Sequence, residues 1–182
     1  PVMKFDWGFF AHYLFEPSSV YLHGLWLTLS ISVISQSLGT AIGVVGALGT
    51  QSRFRAVRMV VAFYTWLMRG TPLLVQIVFI YTGLAAADIF RFEDINLGLV
   101  VIPGNIQAGI LALSLNEGAY MTEIVRAGIL SVDSGQTEAA KSLGMTYLKL
   151  MRRIILPQAA RVIIPPLGNE FNAMLKNTTL LS

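Results

Sequence analysis

LHGLWLTLSISVISQSLGTAIGVVGAL, the stretch Leu22–Leu48, carries no formal charge from Gly24 onward and decides the class of fold. A helix needs about 20 predominantly apolar residues to cross the hydrocarbon of a bilayer, so this block can span one with length to spare. Its hydroxyl groups can bond to their own helix or to a neighbouring one. Gly39 and Gly43 stand four apart and Gly46 extends the small surface, a spacing that lets two helices approach closely. Taken alone, that pattern fits a specific helix contact and incidental membrane glycines equally well.

Working outward, Gln51–Arg58 is a short polar break with Arg53, Arg55 and Arg58. A second apolar block, Met59–Ala87, is interrupted by Arg69, Gly70 and Pro72. It is either strongly tilted or an interfacial helix that turns near RGTP, because proline removes a backbone donor and glycine eases the turn. Arg69, Gly70 and Pro72 are therefore structural or gating candidates. A connection over Asp88–Gly104 leads to a third span, Asn105–Arg126, and a second connection, Ala127–Arg153, to a fourth block running from Ile154 towards Lys176. Pro157, Pro165 and Pro166 are expected to distort or interrupt that last helix. The closing TTLLS reads as the first turn of a further span, and Pro1 is not an initiator, so a native beginning is expected upstream. The fold expected is all-α and polytopic, with four clear spans and a truncated or missing fifth. Residues 1–21 form an N-terminal segment and residues 22–182 the membrane domain.

Composition agrees. Of the 182 residues 54% are hydrophobic and 13% charged, with mean hydropathy +0.64; a soluble domain carries about 25% charged residues. There is no cysteine, which excludes disulfides, thiolate metal sites and cysteine nucleophiles. His12 and His23 are too few for a zinc site without other ligands. The net charge of +3 and pI near 9.4 do not indicate nucleic acid, since the basic residues flank apolar blocks instead of forming a connected surface. Asp6 interrupts what would be the n-region of a secretory signal. The Lys/Arg bias places the Gln51–Arg58 and Ala127–Arg153 regions in the cytoplasm and, by alternation, the amino terminus outside.

Polar residues inside the spans are the pathway candidates, because a carboxylate facing lipid is costly. Asn116 and Glu117 lie near the middle of their span, with Tyr120 and Glu123 farther along. Residues 116, 120 and 123 share an approximate helical face, and Glu117 sits beside it. Glu117 could meet a solute or form a structural pair with Arg69. Asn169 and Glu170 pose the same choice in the following span. Between the two, Glu138–Arg153 alternates charge with Leu143, Tyr147, Leu150 and Met151 near helical spacing, and Gly144 permits a turn. This suits either a short cytoplasmic helix in a partner's groove or a connector in the membrane interface.

The segment EAAKSLGMTYLKLMRRIILPQ, residues 138–158, resembles the coupling loop of ATP-binding cassette importer permeases, with Glu138, Ala139, Ala140, Gly144, Ile154, Leu156 and Pro157 in the matching pattern. RGTPLLVQ (Arg69–Gln76), LNEGAYMTEIVRAG (Leu115–Gly128) and LPQAARVIIPPLGNEF (Leu156–Phe171) are similar to the polar amino acid uptake branch of that family. The resemblance implies a type I importer permease core in the bacterial inner membrane, with a cytoplasmic coupling loop over residues 128–153. It implies two cytoplasmic ATP-binding cassette subunits, a second permease subunit and an extracytoplasmic amino-acid-binding protein as partners. Glu138, Ala139, Ala140 and Gly144 would then meet the ATPase, and Pro157 would pass its movement on. No GxxxxGKS/T phosphate loop occurs in the chain, so ATP and magnesium belong to the partner and this chain is a transport subunit, not an enzyme. The acids at 117, 123 and 170 favour polar amino acids as solutes, cationic ones first. An ion-coupled secondary transporter is the main alternative. An exporter-like or sensory component and an intramembrane enzyme are further ones.

Overall fold

In a computed structural model, residues 6–16, 18–96, 98 and 101–181 are described. They are mostly helical. A short helix α1 (Trp7–Phe15) is started by Asp6, whose carboxylate accepts from the amides of Gly8 and Phe9, each at 2.9 Å. Helix α2 follows as Ser19–Thr50, and its 32 residues reach about 48 Å, well beyond the hydrocarbon thickness. Helix α3 (Arg55–Gly70) begins after the arginine-rich break. A break at Thr71–Pro72 then turns the chain by 109°. Beyond it, α4 (Leu73–Val78), a π-helical turn Phe79–Gly83 and α5 (Leu84–Ala86) form one rod. The second apolar block is therefore two helices meeting at RGTP and not one tilted helix.

The connection to the next helix holds a feature that periodicity did not show. Strands β1 (Ile95–Asn96) and β2 (Val101–Ile102) pair antiparallel, Ile95 opposite Ile102. Asp94 accepts from the Gly104 amide at 2.8 Å, and Gln107 Nε2 donates to the Glu93 carbonyl at 2.7 Å. These bonds strap the hairpin onto the start of helix α6 (Gly104–Leu130).

Helix α6 is the centre of the molecule, and its most extensive contact is with α2. The glycine spacing in α2 has a direct physical use. A Cβ on Gly39 would stand 2.5 Å from Glu117 Cγ, one on Gly43 would collide with Met121, and one on Gly46 with Thr122. The two backbones come as close as the absence of these carbons permits. Tyr64 of α3 donates to the Leu115 carbonyl at 2.6 Å, fixing a third helix to α6.

After α6, Asp133 caps α7 (Ser134–Ser142), accepting from the Gly135 amide at 2.8 Å. Helix α7 stops at Gly144, whose φ of +71° lies in the left-handed region. Helix α8 (Tyr147–Leu150) runs through a π-helical turn, Met151–Ile155, into α9 (Leu156–Asn177), followed by a 3₁₀ turn Thr178–Leu181. So the stretch read as one short helix is two, hinged at a glycine turn. Of the two effects expected of Pro165 and Pro166, interruption does not occur: α9 runs through both, since their fixed φ is compatible with a helix and only two donors are lost. Pro157 sits in the first turn of α9, where its missing donor costs little.

The main core cluster joins Ala47, Met121, Val125, Ile129, Ala140, Leu150, Met151, Ile155 and Ala159, tying α2, α6 and α9 to the roots of α7 and α8. Elsewhere large apolar side chains face outward, among them Leu25, Trp26, Val33 and Val45 on α2, Val60, Phe63 and Trp66 on α3, and Leu74, Val75 and Val78 on α4. Apolar surface on this scale marks contact with lipid or with neighbouring chains. Among the described residues, α2 alone is long and apolar enough to cross a membrane by itself, and the bent pair Arg55–Gly70 and Leu73–Ala86 qualifies together. The small and polar residues of α6 and α9 keep those helices below that composition, so four spans do not follow from it.

Candidate functional site: a cleft at the helix bend

Pro72 is what opens the cleft. It forces Thr71 into an extended conformation (φ −116°, ψ 142°), as the residue before a proline requires, and α3 ends at Gly70. The carbonyls left over at that end need donors. Gln76 supplies them: its Nε2 donates to the Met68 carbonyl (2.7 Å), the Thr71 carbonyl (3.1 Å) and Thr71 Oγ1 (2.8 Å). Asn116 of α6 reaches across to the same place, donating through Nδ2 to the Met68 carbonyl and to Gln76 Oε1, both at 3.1 Å. Two side-chain amides, Gln76 and Asn116, thus pin the bend to α6.

The bend, one face of α6 and the end of α9 enclose a cleft of about 540 Å³, lined by Arg69, Gly70, Thr71, Pro72, Leu73, Asn116, Glu117, Tyr120, Glu170, Ala173 and Asn177. The Arg69 guanidinium lies over the Tyr120 ring, 5.3 Å from its centroid, a cation–π arrangement. Glu117 is 5% exposed. It does not form an ion pair with Arg69; its Oε1 accepts from Gln36 Nε2 of α2 at 2.8 Å. Glu170 is half-buried and lines the same cleft. Four of the six pathway candidates, Asn116, Glu117, Tyr120 and Glu170, therefore meet in one cavity together with Arg69, Gly70 and Pro72. The other two stand apart. Glu123 is paired with Arg126 at 2.6 Å, and Asn169 points outward. Gly70 has open space where a Cβ would stand, so it is not needed there for room.

The coupling candidates lie elsewhere. Glu138, Ala139 and Gly144 are exposed on α7 and its turn, and Pro157 is exposed at the start of α9. Ala140 is 2% exposed and belongs to the core cluster with Leu150 and Met151. Around the turn, Leu143 and Leu148 are 82% and 76% exposed, an unusual display for leucine on either side of a polar glycine turn. No group of three or more His, Asp or Glu side chains able to hold a metal gathers among the described residues.

Two functional side chains escaped the sequence reading, Gln36 and Gln76. The signal was present: a primary amide inside an apolar block of membrane length must find a partner.

A helical chain with a polar cleft at a broken span and an exposed helical elbow is the class of object a membrane transport subunit requires. The family described as "Binding-protein-dependent transport system inner membrane component" matches residues 39–182, and the chain belongs to it. It is 40% identical over 185 residues to the arginine transport system permease protein ArgU of Corynebacterium glutamicum, covering 97% of this chain and 56% of that protein. It is 41% identical over 159 residues to the L-cystine transport system permease protein TcyB of Bacillus subtilis, covering 87% and 63%. The chain thus spans less than two thirds of the length of either relative. A chain of the solved structure described as "Crystal structure of an amino acid ABC transporter with histidines" superposes with TM-score 0.80 and 38% identity over 98% of this chain and 76% of that one.

Proposed function

We propose that the chain is the permease subunit of an ATP-driven importer of polar amino acids, cationic ones preferred. The observation that carries this reading is the meeting of two carboxylates, Glu117 and Glu170, with Asn116 and Tyr120 in one cleft where a span is broken. Carboxylates held in a partly dry cavity attract an ammonium or guanidinium group. The names of the two relatives, arginine and L-cystine transport permeases, support amino acids as the solute class.

Four spans are formed by α2, the bent pair α3–α5, α6 and α9, with residues 1–21 extracytoplasmic and residues 128–153 cytoplasmic. Arginines at 53, 55 and 58 and the basic residues Lys141, Lys149, Arg152 and Arg153 support that orientation. Two ATP-binding cassette subunits, which hold ATP and magnesium, press on the exposed face of Glu138, Ala139, Gly144 and the leucines beside it. Ala140 roots that face in the core. Movement passes through the π-helical turn and Pro157 into α9, which carries Glu170 about 20 Å along its axis. Arg69, Gly70 and Pro72 shape the gate beside the cleft. A second permease subunit and an extracytoplasmic amino-acid-binding protein complete the assembly. Glu123 and Asn169 belong to the wider pathway region outside the cleft.

Reconstitution in proteoliposomes with the ATPase and the binding protein tests this. Amino-acid uptake is expected only with ATP inside; uptake driven by an ion gradient without the ATPase would transfer the chain to the secondary transporters.

A further inference from the structure

Glu117 is the most deeply buried acid of the cleft, and α2 grips it at two points. Gly39 leaves room for its stem, with Glu117 Cγ and Cβ 2.5 and 2.6 Å from where a glycine-39 Cβ would be. Three residues earlier on the same helical face, Gln36 Nε2 donates to Oε1 at 2.8 Å. Among the described residues no protein donor meets the other oxygen, Oε2, and the side chain lines the cleft.

Two other polar groups of the cavity are committed elsewhere. Asn116 Nδ2 is used by the bend, and Arg69 is stacked on Tyr120. Gln36 itself is poorly served as a piece of structure: it is 7% exposed, and its Oε1 is buried with no hydrogen-bond partner. A leucine or methionine there would remove the unsatisfied Gln36 Oε1, but it would also take from Glu117 Oε1 its donor. What the amide does that an apolar side chain cannot is fix the direction of a carboxylate.

We propose that Gln36 is a positioning residue for solute selection: it holds Glu117 by one oxygen so that the other faces the cleft, and thereby sets the preference for solutes bearing a cationic side chain over neutral ones. This rests on the importer reading above. Preorganising a charged group through a neighbour that never touches the ligand is a general device of binding sites. It differs from simple helix adhesion, which would act on all solutes alike.

The test uses the complete complex of permease, ATPase and binding protein in proteoliposomes, with competing arginine and glutamine as solutes. The variants are Gln36→Met, close in length and apolar, and Gln36→Asn, which keeps an amide on a shorter stem; each is made with Glu117 intact and with Glu117→Gln. A second readout, independent of transport, is the extent of Glu117 modification by dicyclohexylcarbodiimide, which attacks carboxyl groups in apolar surroundings, followed by mass spectrometry. Gln36→Met is expected to lower the arginine-to-glutamine uptake ratio about tenfold, as for one charge-assisted hydrogen bond lost, and to change Glu117 labelling several-fold. Gln36→Asn should fall between it and the parent, and both should leave the ratio unaltered in the Glu117→Gln background. Equal loss of both solutes, or labelling unchanged by Gln36→Met, overturns the proposal. Failure of the parent complex to take up either solute with ATP would instead remove the importer reading, while the labelling arm still decides whether Gln36 governs the carboxyl group.

Discussion

The cleft and the elbow are built on opposite plans. Around the cleft, side-chain hydrogen bonds tie the helices: Gln76 and Asn116 close the bend, Gln36 holds Glu117, and Tyr64 fixes α3 to α6. The elbow between α7 and α8 has no such ties. It is held by the capping bond of Asp133, one glycine in a left-handed conformation, and buried roots at Ala140, Leu150 and Met151. A region bonded at many points keeps its geometry while its surroundings move. A region anchored only at its base can be displaced as a unit, which is what a lever needs. Substitutions in the first region should therefore register in stability or solute choice, and those in the second in coupling.

The largest effect is expected where α2 and α6 touch. Gly43→Leu places a side chain on Met121, and overpacking of this kind costs about 1–3 kcal/mol, here towards the upper end because the backbones cannot part without opening the cleft. Loss of monodisperse protein on size exclusion and a lower thermal midpoint in detergent are the measurements. A midpoint equal to the parent's would mean that the helices do not meet along the glycines.

Next in size is Gln76→Leu. It leaves the Thr71 carbonyl without its donor, at about 1–3 kcal/mol for a group left unsatisfied, and takes one of two partners from the Met68 carbonyl and from Asn116 Nδ2. Thermal stability should fall, and solute affinity with it, because the bend carries Arg69 into the cleft. If stability dropped while solute preference and affinity held, the network would be scaffolding alone.

How much of this could be read beforehand depended on distance along the chain. A possible turn in the second block and one at Gly144 were legible because Pro72 and Gly144 act on their own neighbourhood, whereas the glycines at 39, 43 and 46 gave a small surface without saying that α6 packs on it. The gathering of Glu117 with Glu170 was not, since 117 and 170 lie on different helices and helical periodicity gives a face without saying what it faces. Gln36 lies 81 positions from Glu117, so its partner was invisible although its need for one was not. Of the two roles left open for Glu117, the pair with Arg69 is not formed: Arg69 lies over the aromatic face of Tyr120 and Glu117 takes the amide of Gln36, partners that sign of charge does not indicate. The paired strands at 95–96 and 101–102 had no signal at two residues each.

On the elbow the effects should be smaller in stability and specific in kind. Glu138→Arg alters an exposed residue and should leave the thermal midpoint unchanged. ATP-driven uptake should fall about tenfold, the scale for losing one important interface side chain, while the affinity of the binding protein for its amino acid stays the same. Unimpaired uptake would show that Glu138 is not on the transmitting face.

The smallest change in stability and the finest discrimination come from Gly144. No atom lies within 4 Å of a Cβ added there, so a substituent meets no clash inside the chain. Only the backbone objects: φ of +71° costs an ordinary L-residue about 1–2 kcal/mol, and asparagine tolerates it better than alanine. Gly144→Ala should thus lower the midpoint slightly and Gly144→Asn less. Coupling should follow a different order, because on the exposed face the added side chain, not the strain, stands in the way: asparagine, the larger, should depress ATP-driven uptake at least as much as alanine. If asparagine restored uptake in step with stability, the turn would matter for its shape alone, and the surface between Leu143 and Leu148 would lose its claim to be where the ATPase presses.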